Sequence, residues 1–223
     1  MARESRYSES VGDYLKTIFE ASRHGPARSG DIAERMGLTR ASVSGMLSRL
    51  AELGLIEHRP YKGATLTEAG TREALKLVRR HRVVETFMIR HLGYAWDEVH
   101  GEAEAIEHAI GERFTERLSA FLGHPEHDPH GDPIPTAAGV LPETPDELLT
   151  DVPPGGRFAV ARLRSQDPSV LGYLASKGVE PGVTLEVVAT EPGGGAMEVQ
   201  LDNRRFALSE RLAAVIRGRA TPG

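Results

Sequence analysis

The segment His100-Gly101-Glu102-Ala103-Glu104-Ala105-Ile106-Glu107-His108 gathers imidazoles and carboxylates at helical spacing. At 100° per residue, positions 100, 104, 107 and 108 fall within an arc of about 100°. His100, Glu104, Glu107 and His108 then share one face of a helix. Between Arg90 and Arg113 there are six acids and no Lys or Arg. A solvated helix face normally interleaves both signs, so this face is read as a ligand set for a divalent cation, with a buried polar network as the alternative. His81 and Glu85 form a second pair one turn apart, which an antiparallel helical hairpin brings alongside. The chain has no cysteine. Imidazole and carboxylate without sulfur suit Mn(II) or Fe(II).

Asp13 has two readings. Locally it is the acidic member of a Ser10-x-x-Asp13 capping box. Functionally it is a ligand that ties the first helix to the metal cluster. His91, His124, His127 and His130 are read as surface or structural groups.

These residues need elements to position them. Val11, Tyr14, Leu15, Ile18 and Phe19 recur at helical spacing, which predicts a first helix from about Glu9 to Ser22. Ser29 is expected to cap a short helix, Asp31 to Met36, ending at Gly37. Thr39 opens a third helix that buries Val43, Met46, Leu47 and Leu50 and ends at Gly54. Leu55–Arg59 and Ala64–Thr67 read as a hairpin around Lys62-Gly63. Two long helices are expected over about Glu68–His91 and Asp97–Leu122. Eight of the 14 prolines lie between Pro125 and Pro154, marking an irregular segment or linker. Arg157–Arg164, Thr184–Thr190, Met197–Leu201 and Ala214–Arg217 read as strands of a small β-barrel.

A short helix, a turn, a second helix and a hairpin make a winged helix-turn-helix, whose second helix enters the major groove N-terminal end first. The residues it would present are Thr39, Arg40, Ala41, Ser42, Ser44 and Gly45. Small hydroxyl and methyl groups allow close approach to phosphates and base edges. Arg49, Arg28 ahead of the first of the two helices, and Arg59, Tyr61 and Lys62 at the hairpin are expected to grip the phosphate backbone.

Composition fits this division. The 223 residues carry a formal net charge of -5, which argues against a nucleic-acid coat protein. Residues 76–150 alone account for a balance of -7 and hold seven of the nine histidines. The longest apolar runs fall far short of the roughly 20 residues needed to span a bilayer. The polar start Met1-Ala2-Arg3-Glu4-Ser5-Arg6 is followed by no apolar signal segment. A cytoplasmic protein without membrane contact is expected.

In order and spacing, the motifs resemble the diphtheria toxin repressor family of iron- and manganese-dependent regulators. They are Asp13-Tyr14-Leu15-Lys16-Thr17-Ile18-Phe19-Glu20, Asp31-Ile32-Ala33-Glu34-Arg35, Ser42-Val43-Ser44, Leu66-Thr67-Glu68-Ala69-Gly70, Arg80-His81-Arg82-Val83-Val84-Glu85, Val99 through His108, and His130-Gly131-Asp132-Pro133-Ile134-Pro135. The resemblance implies a mainly α protein with a small β domain. Its parts would be a winged helix-turn-helix over 1–74, a helical metal-binding and dimerisation domain over 75–140, a linker over 141–150 and an SH3-like (FeoA-like) β-barrel over 151–223. It implies a homodimer that binds double-stranded, palindromic operators when metal is bound, as a transcriptional repressor in metal homeostasis rather than an enzyme.

By the same resemblance, Asp13, Glu104, Glu107 and His108 form a primary site, and His81, Glu85 and His100 an ancillary one. In long members the SH3-like domain adds two ligands to the ancillary site, for which Gln166 and Asp167 are the nearest candidates. Iron-responsive members have methionine and cysteine at the positions of Asp13 and Glu104. Carboxylates at both favour Mn(II) over Fe(II). Lys16 stands where the short manganese regulators have glutamate, which argues against their paired-metal arrangement. Gly45 replaces a glutamine of the iron repressors, so the operator sequence need not be theirs.

The expected switch is electrostatic: without metal, Asp13, Glu104 and Glu107 repel one another and the first helix is loosely held. The alternatives are a metal-independent winged-helix regulator sensing an organic ligand, and a metallohydrolase.

Overall fold

The computed structural model describes residues 7–22, 25–59, 62–96, 98–165, 167–191, 193 and 195–221. The chain divides into two compact units. One comprises Met1–His81, Glu107–Glu116 and Pro135–Val140; the other comprises Arg82–Ile106, Arg117–Ile134 and Leu141–Gly223.

In the first unit, α1 (Glu9–Ala21) buries Val11, Tyr14, Leu15 and Ile18, the stripe its spacing predicts, and also Lys16. Ser8, not Ser10, stands at the N-cap position, and its side chain makes no capping bond. The Ser10–Asp13 capping box does not form, because both residues lie inside the helix. Next come α2 (Ser29–Met36) and α3 (Arg40–Glu52). Ser29 is the first helical residue of α2 rather than its cap; Arg28 occupies the cap position. Gly37 ends α2 in the left-handed region, with its N–H bonded to the carbonyls of Ala33 and Glu34. Thr39 caps α3 by accepting the Ser42 N–H. Strands β1 (Ile56–Arg59) and β2 (Gly63–Leu66) pair antiparallel from Ile56↔Leu66 to Arg59↔Gly63. Ala27 joins β2 through two backbone bonds with Ala64, 2.9 and 2.8 Å long. This ties the entry to α2 to the wing. Ile32, Val43, Leu47, Leu50, Leu55 and Ile56 close the core with the α1 stripe.

Helix α4 runs from Glu68 to Phe87 and continues into a π turn over Met88–Leu92. Its start is pinned: Thr67 N–H donates to the Leu55 carbonyl, and Thr67 Oγ1 donates to the Gly54 carbonyl while accepting the Gly70 N–H. The helix expected over Asp97–Leu122 is instead two, α5 (Val99–Glu107) and α6 (Glu112–Phe121). Gly111 is a poor interior residue for a helix, costing about 1 kcal/mol relative to alanine. Here its carbonyl accepts from Thr115 N–H to start α6. His108 therefore lies just past the end of α5 rather than on its face.

In the second unit the C-terminal part forms a six-stranded antiparallel sheet in the order β3-β8-β4-β5-β6-β7. The strands are β3 (Glu147–Leu148), β4 (Arg157–Leu163), β5 (Thr184–Thr190), β6 (Met197–Leu201), β7 (Arg204–Leu208) and β8 (Ile216–Thr221). Phe158, Leu163, Leu174, Leu185, Val199 and Ile216 lie in its core, against which Trp96 packs. The last strand starts later than Ala214, which instead follows a short helix, α8 (Glu210–Ala213). Sequence reading also missed β7 and a helix, α7 (Pro168–Lys177), whose Val170, Leu171 and Leu174 face the core.

Candidate metal centres and nucleic-acid interface

The first unit gathers one set of candidate cation ligands. Asp13 is on the α1 face three residues from Lys16, and His108 Nε2 is 2.7 Å from Asp13 Oδ1. The His108 ring lies beside Gly12, where an added Cβ would be 3.6 Å from the ring. Glu107, only 1% exposed, is at the end of α5. Its Oε1 lies 3.8 Å from His108 Nε2. One ligand atom from each of Asp13, Glu107 and His108 lies within 4.8 Å of the other two. Two oxygens and an imidazole nitrogen fit a hard or borderline divalent cation such as Mn(II) or Fe(II).

Glu107 is not a bare charge. Lys16 Nζ, buried with it, is 3.0 Å from both of its oxygens. His81 Nδ1 lies 2.5 Å from Oε2 and 3.2 Å from the Lys16 ammonium. Burial works to raise the Glu107 carboxyl, but the hydrogen bond and charge of His81, and then Lys16, outweigh it and hold the group below its usual range. The expected repulsion between Asp13 and Glu107 is therefore compensated within the protein, since Asp13 has His108 and Glu107 has Lys16. Between Arg90 and Arg113 the sequence offers no Lys or Arg. The counter-charge comes from α1, 91 residues away in the chain.

The other expected ligands belong partly to each unit. His81 faces Glu107 in the first unit. Glu85, one turn further along α4 and 3% exposed, belongs to the second unit, where His100 Nδ1 is 3.2 Å from its Oε1. Glu104, also in the second unit, has a half-exposed carboxylate 3.5 Å from His100 Nε2.

Within the second unit Glu85, Asp128 and His130 form a fully buried triad whose ligand atoms meet the same 4.8 Å limit. Sequence reading missed this set. It treated His130 as surface or structural and did not single out Asp128, yet they are 7% and 6% exposed. The available signal was the His130-Gly131-Asp132-Pro133 turn. Asp128 Oδ1 accepts the N–H groups of His130 and Asp132, both at 2.9 Å. Gly131 has φ +85°, and a Cβ there would be 2.0 Å from the Ala161 carbonyl. Leu163 N–H donates to the His130 carbonyl at 2.8 Å. Burial, then the charge of Asp132 with a smaller push from Glu85, drive the Asp128 carboxyl well above its usual range, against the pull of Arg82 3.6 Å away. Arg82 and Arg162 already pair with the acids here, and the oxygen and imidazole donors of Glu85, Asp128 and His130 again fit a divalent cation.

Asp167 caps α7, accepting the Ser169 N–H and hydroxyl at 3.0 and 2.6 Å, and pairs with Arg211 at 3.4 Å. No cluster of candidate cation ligands among the described residues includes it. Gln166 lies outside the described residues.

On α3 and its cap, Thr39, Arg40, Ala41, Ser42, Ser44, Gly45 and Arg49 are all exposed, while Val43, Leu47 and Leu50 turn inward. The hydroxyl of Ser44 donates back to the Arg40 carbonyl at 2.9 Å. Arg28, Arg59 and Lys62 are exposed as well; Tyr61 lies outside the described residues. Arg28, Ser29, Gly30, Asp31, Arg40, His58 and Gly63 line a cleft of about 350 Å³ between the start of α2 and the wing. Two arginines at that mouth suit a phosphate.

The comparisons with known proteins follow the same division. A family described as "Iron dependent repressor, N-terminal DNA binding domain" matches residues 6–64. "Iron dependent repressor, metal binding and dimerisation domain" matches 67–136, and "FeoA domain" matches 148–220. The iron-dependent repressor IdeR of Mycobacterium bovis is 32% identical over 218 residues, covering 92% of this chain and 94% of that protein. The transcriptional regulator MntR of Escherichia coli is 38% identical over 120 residues, 53% of this chain and 75% of its own. A solved structure titled "Manganese-dependent transcriptional repressor complex with manganese" superposes with a TM-score of 0.87 at 40% identity, covering 92% of this chain and 97% of that one. The order of its elements, the family models matched along it and its likeness to IdeR over nearly the whole length make this chain a member of the iron-dependent repressor family.

Proposed function

We propose that the chain is a metal-activated, DNA-binding transcriptional repressor of metal-homeostasis genes, acting in the cytoplasm as a homodimer on palindromic double-stranded operators. Mn(II) is the favoured ion, with Fe(II) the other candidate. The observation that carries this is the 2.7 Å approach of Asp13 on α1 to His108 past the end of α5, with Glu107 in ligand range. When bound, the ion supplies two positive charges and a preference for oxygen and imidazole donors. Asp13, Glu107 and His108 are its primary ligands, with Glu104 an additional candidate. Glu85, Asp128 and His130 are the second set, with His81 and His100 as further candidates beside the two.

The coupling to DNA runs through packing. Leu15 and Ile18 of α1 share a core with Ile32, Val43 and Leu47. Fixing Asp13 therefore fixes the seat of α3, whose Thr39, Arg40, Ala41, Ser42, Ser44 and Gly45 face the groove. Arg28, Arg49, Arg59, Tyr61 and Lys62 contact phosphates. In a dimer, two such helices must lie about 34–36 Å apart to meet successive major grooves.

The test uses a duplex selected from a random pool with Mn(II) present, with binding then measured by fluorescence anisotropy. A coupling of about 1–3 kcal/mol between metal and DNA corresponds to a roughly 5–150-fold gain in affinity over chelator, and His108→Ala should abolish the gain. Equal affinity in Mn(II) and in chelator would sink the proposal in favour of a metal-independent regulator that senses an organic ligand.

A further inference from the structure

Asp13 and Lys16 are three residues apart on α1 and share a face. Lys16 is 6% exposed, and burying an ammonium is costly unless it is paired. Its partner here is Glu107, engaged through both oxygens at 3.0 Å, with His81 Nδ1 3.2 Å away. That same carboxylate is the central member of the Asp13–Glu107–His108 ligand set. The metal centre thus already holds a cation, one supplied by the helix whose position the centre is to control.

We propose that Lys16 is a built-in competitor of the metal ion: its ammonium clamps Glu107 and so holds α1 to the centre without metal, and it must give up at least one Glu107 oxygen before Asp13, Glu107 and His108 can share an ion. Lys16 therefore sets the metal concentration at which the protein responds. The inference rests on the metal reading above and deepens it. It also changes what metal does. In the metal-free protein α1 is restrained rather than loose, and activation exchanges one cation for another at Glu107. The step then left to the metal is to draw Asp13 and His108, already 2.7 Å apart, onto one ion together with Glu107.

A unit charge close to a carboxylate shifts its affinity for a proton by about 10–1000-fold. Part of that is returned when the released ammonium finds other partners, so the expected effect of losing Lys16 lies at the lower end. Mn(II) titrations followed by the electron paramagnetic resonance signal of the free ion should show Lys16→Gln binding about tenfold more tightly than wild type. Lys16→Arg, which keeps a cation, should bind with the wild-type midpoint. Unchanged or weaker binding in Lys16→Gln overturns the competition.

The clamp has its own measurement, made in chelator. Amide hydrogen exchange across α1 should be slow in the wild-type protein and at least several-fold faster in Lys16→Gln. Glu107→Gln removes the other half of the pair, and it should speed α1 exchange in chelator in the same way should Lys16→Gln not fold. Equal exchange in wild type and Glu107→Gln overturns the clamp. Failure of the metal reading looks different: wild-type protein would take up no Mn(II) that His108→Ala abolishes. The competition falls with that reading, while the exchange data still decide the clamp.

Discussion

Asp128 carries its charge against its surroundings. It is buried beside Asp132 and Glu85, with the Arg82 guanidinium 3.6 Å away. Its folded-state pKa is raised above the ordinary 3.8, so the folded protein binds this proton more tightly than the unfolded chain does. The resulting cost is absent below the ordinary value, sets in as pH rises toward the raised one, and is fully present above it. Asp128→Asn keeps an oxygen for the N–H groups of His130 and Asp132 but removes the charge. It is expected to raise the thermal midpoint in chelator at neutral pH by a few degrees and to weaken Mn(II) binding at the second set. Differential scanning fluorimetry with and without Mn(II) checks both, and a lower midpoint in chelator would contradict the assignment. Legibility at this scale was uneven. Asp13, Glu107 and His108 could be named because two of them are neighbours and the third belongs to a motif. Lys16 and Asp128 could not be given their roles, because a counter-ion 91 residues away and a carboxylate in a proline-rich turn have no periodicity to betray them.

Helices α1 and α3 were legible because each buries a stripe at helical spacing, and the wing because Lys62-Gly63 separates two short extended runs. The break between α5 and α6 was missed, since the apolar pattern continues across it. Only Gly111 marks it, and one glycine is weak evidence against a long helix. Helix α7 was missed although Asp167-Pro168 opens it, Gly178 closes it and Val170, Leu171 and Leu174 stand at helical spacing. A tighter constraint lies at the foot of α4. A Cβ on Gly70 would stand 1.9 Å from the Leu55 carbonyl oxygen, which already accepts from Thr67. Gly70→Ala must push the helix away from the loop after α3, at about 2–4 kcal/mol by analogy with overpacked cores. Urea unfolding measures this, and a loss under about 0.5 kcal/mol, the scale of ordinary surface substitutions, would show that the junction yields. Because α4 carries His81, the same variant should also weaken Mn(II) binding.

For the whole molecule, the apolar surface that a second copy would cover is partly visible. Phe87, His91 and Phe121 form a cluster with ring centroids 5.0–6.1 Å apart, and Phe121 is 65% exposed. An exposed aromatic cluster of this kind suits a contact surface. No helix among the described residues is long and apolar enough to cross a membrane. Phe121→Glu is expected to convert a dimer into a monomer in multi-angle light scattering while leaving the circular dichroism spectrum unchanged, and a persisting dimer would locate the interface elsewhere. The general plan of helical front and β-rich rear was legible from proline and glycine punctuation. How the rear meets the His130 turn was not, since β4 reaches it through its main chain and through Arg162, 3.5 Å from Asp132. The Leu163 amide of β4 holds the His130 carbonyl, and the Ala161 carbonyl presses on Gly131. The terminal sheet is thus the last against which the His130 turn is shaped. A substitution deep in that sheet, such as Phe158→Ala, touches no ligand, yet it should blunt the cell's metal response by letting the mould relax.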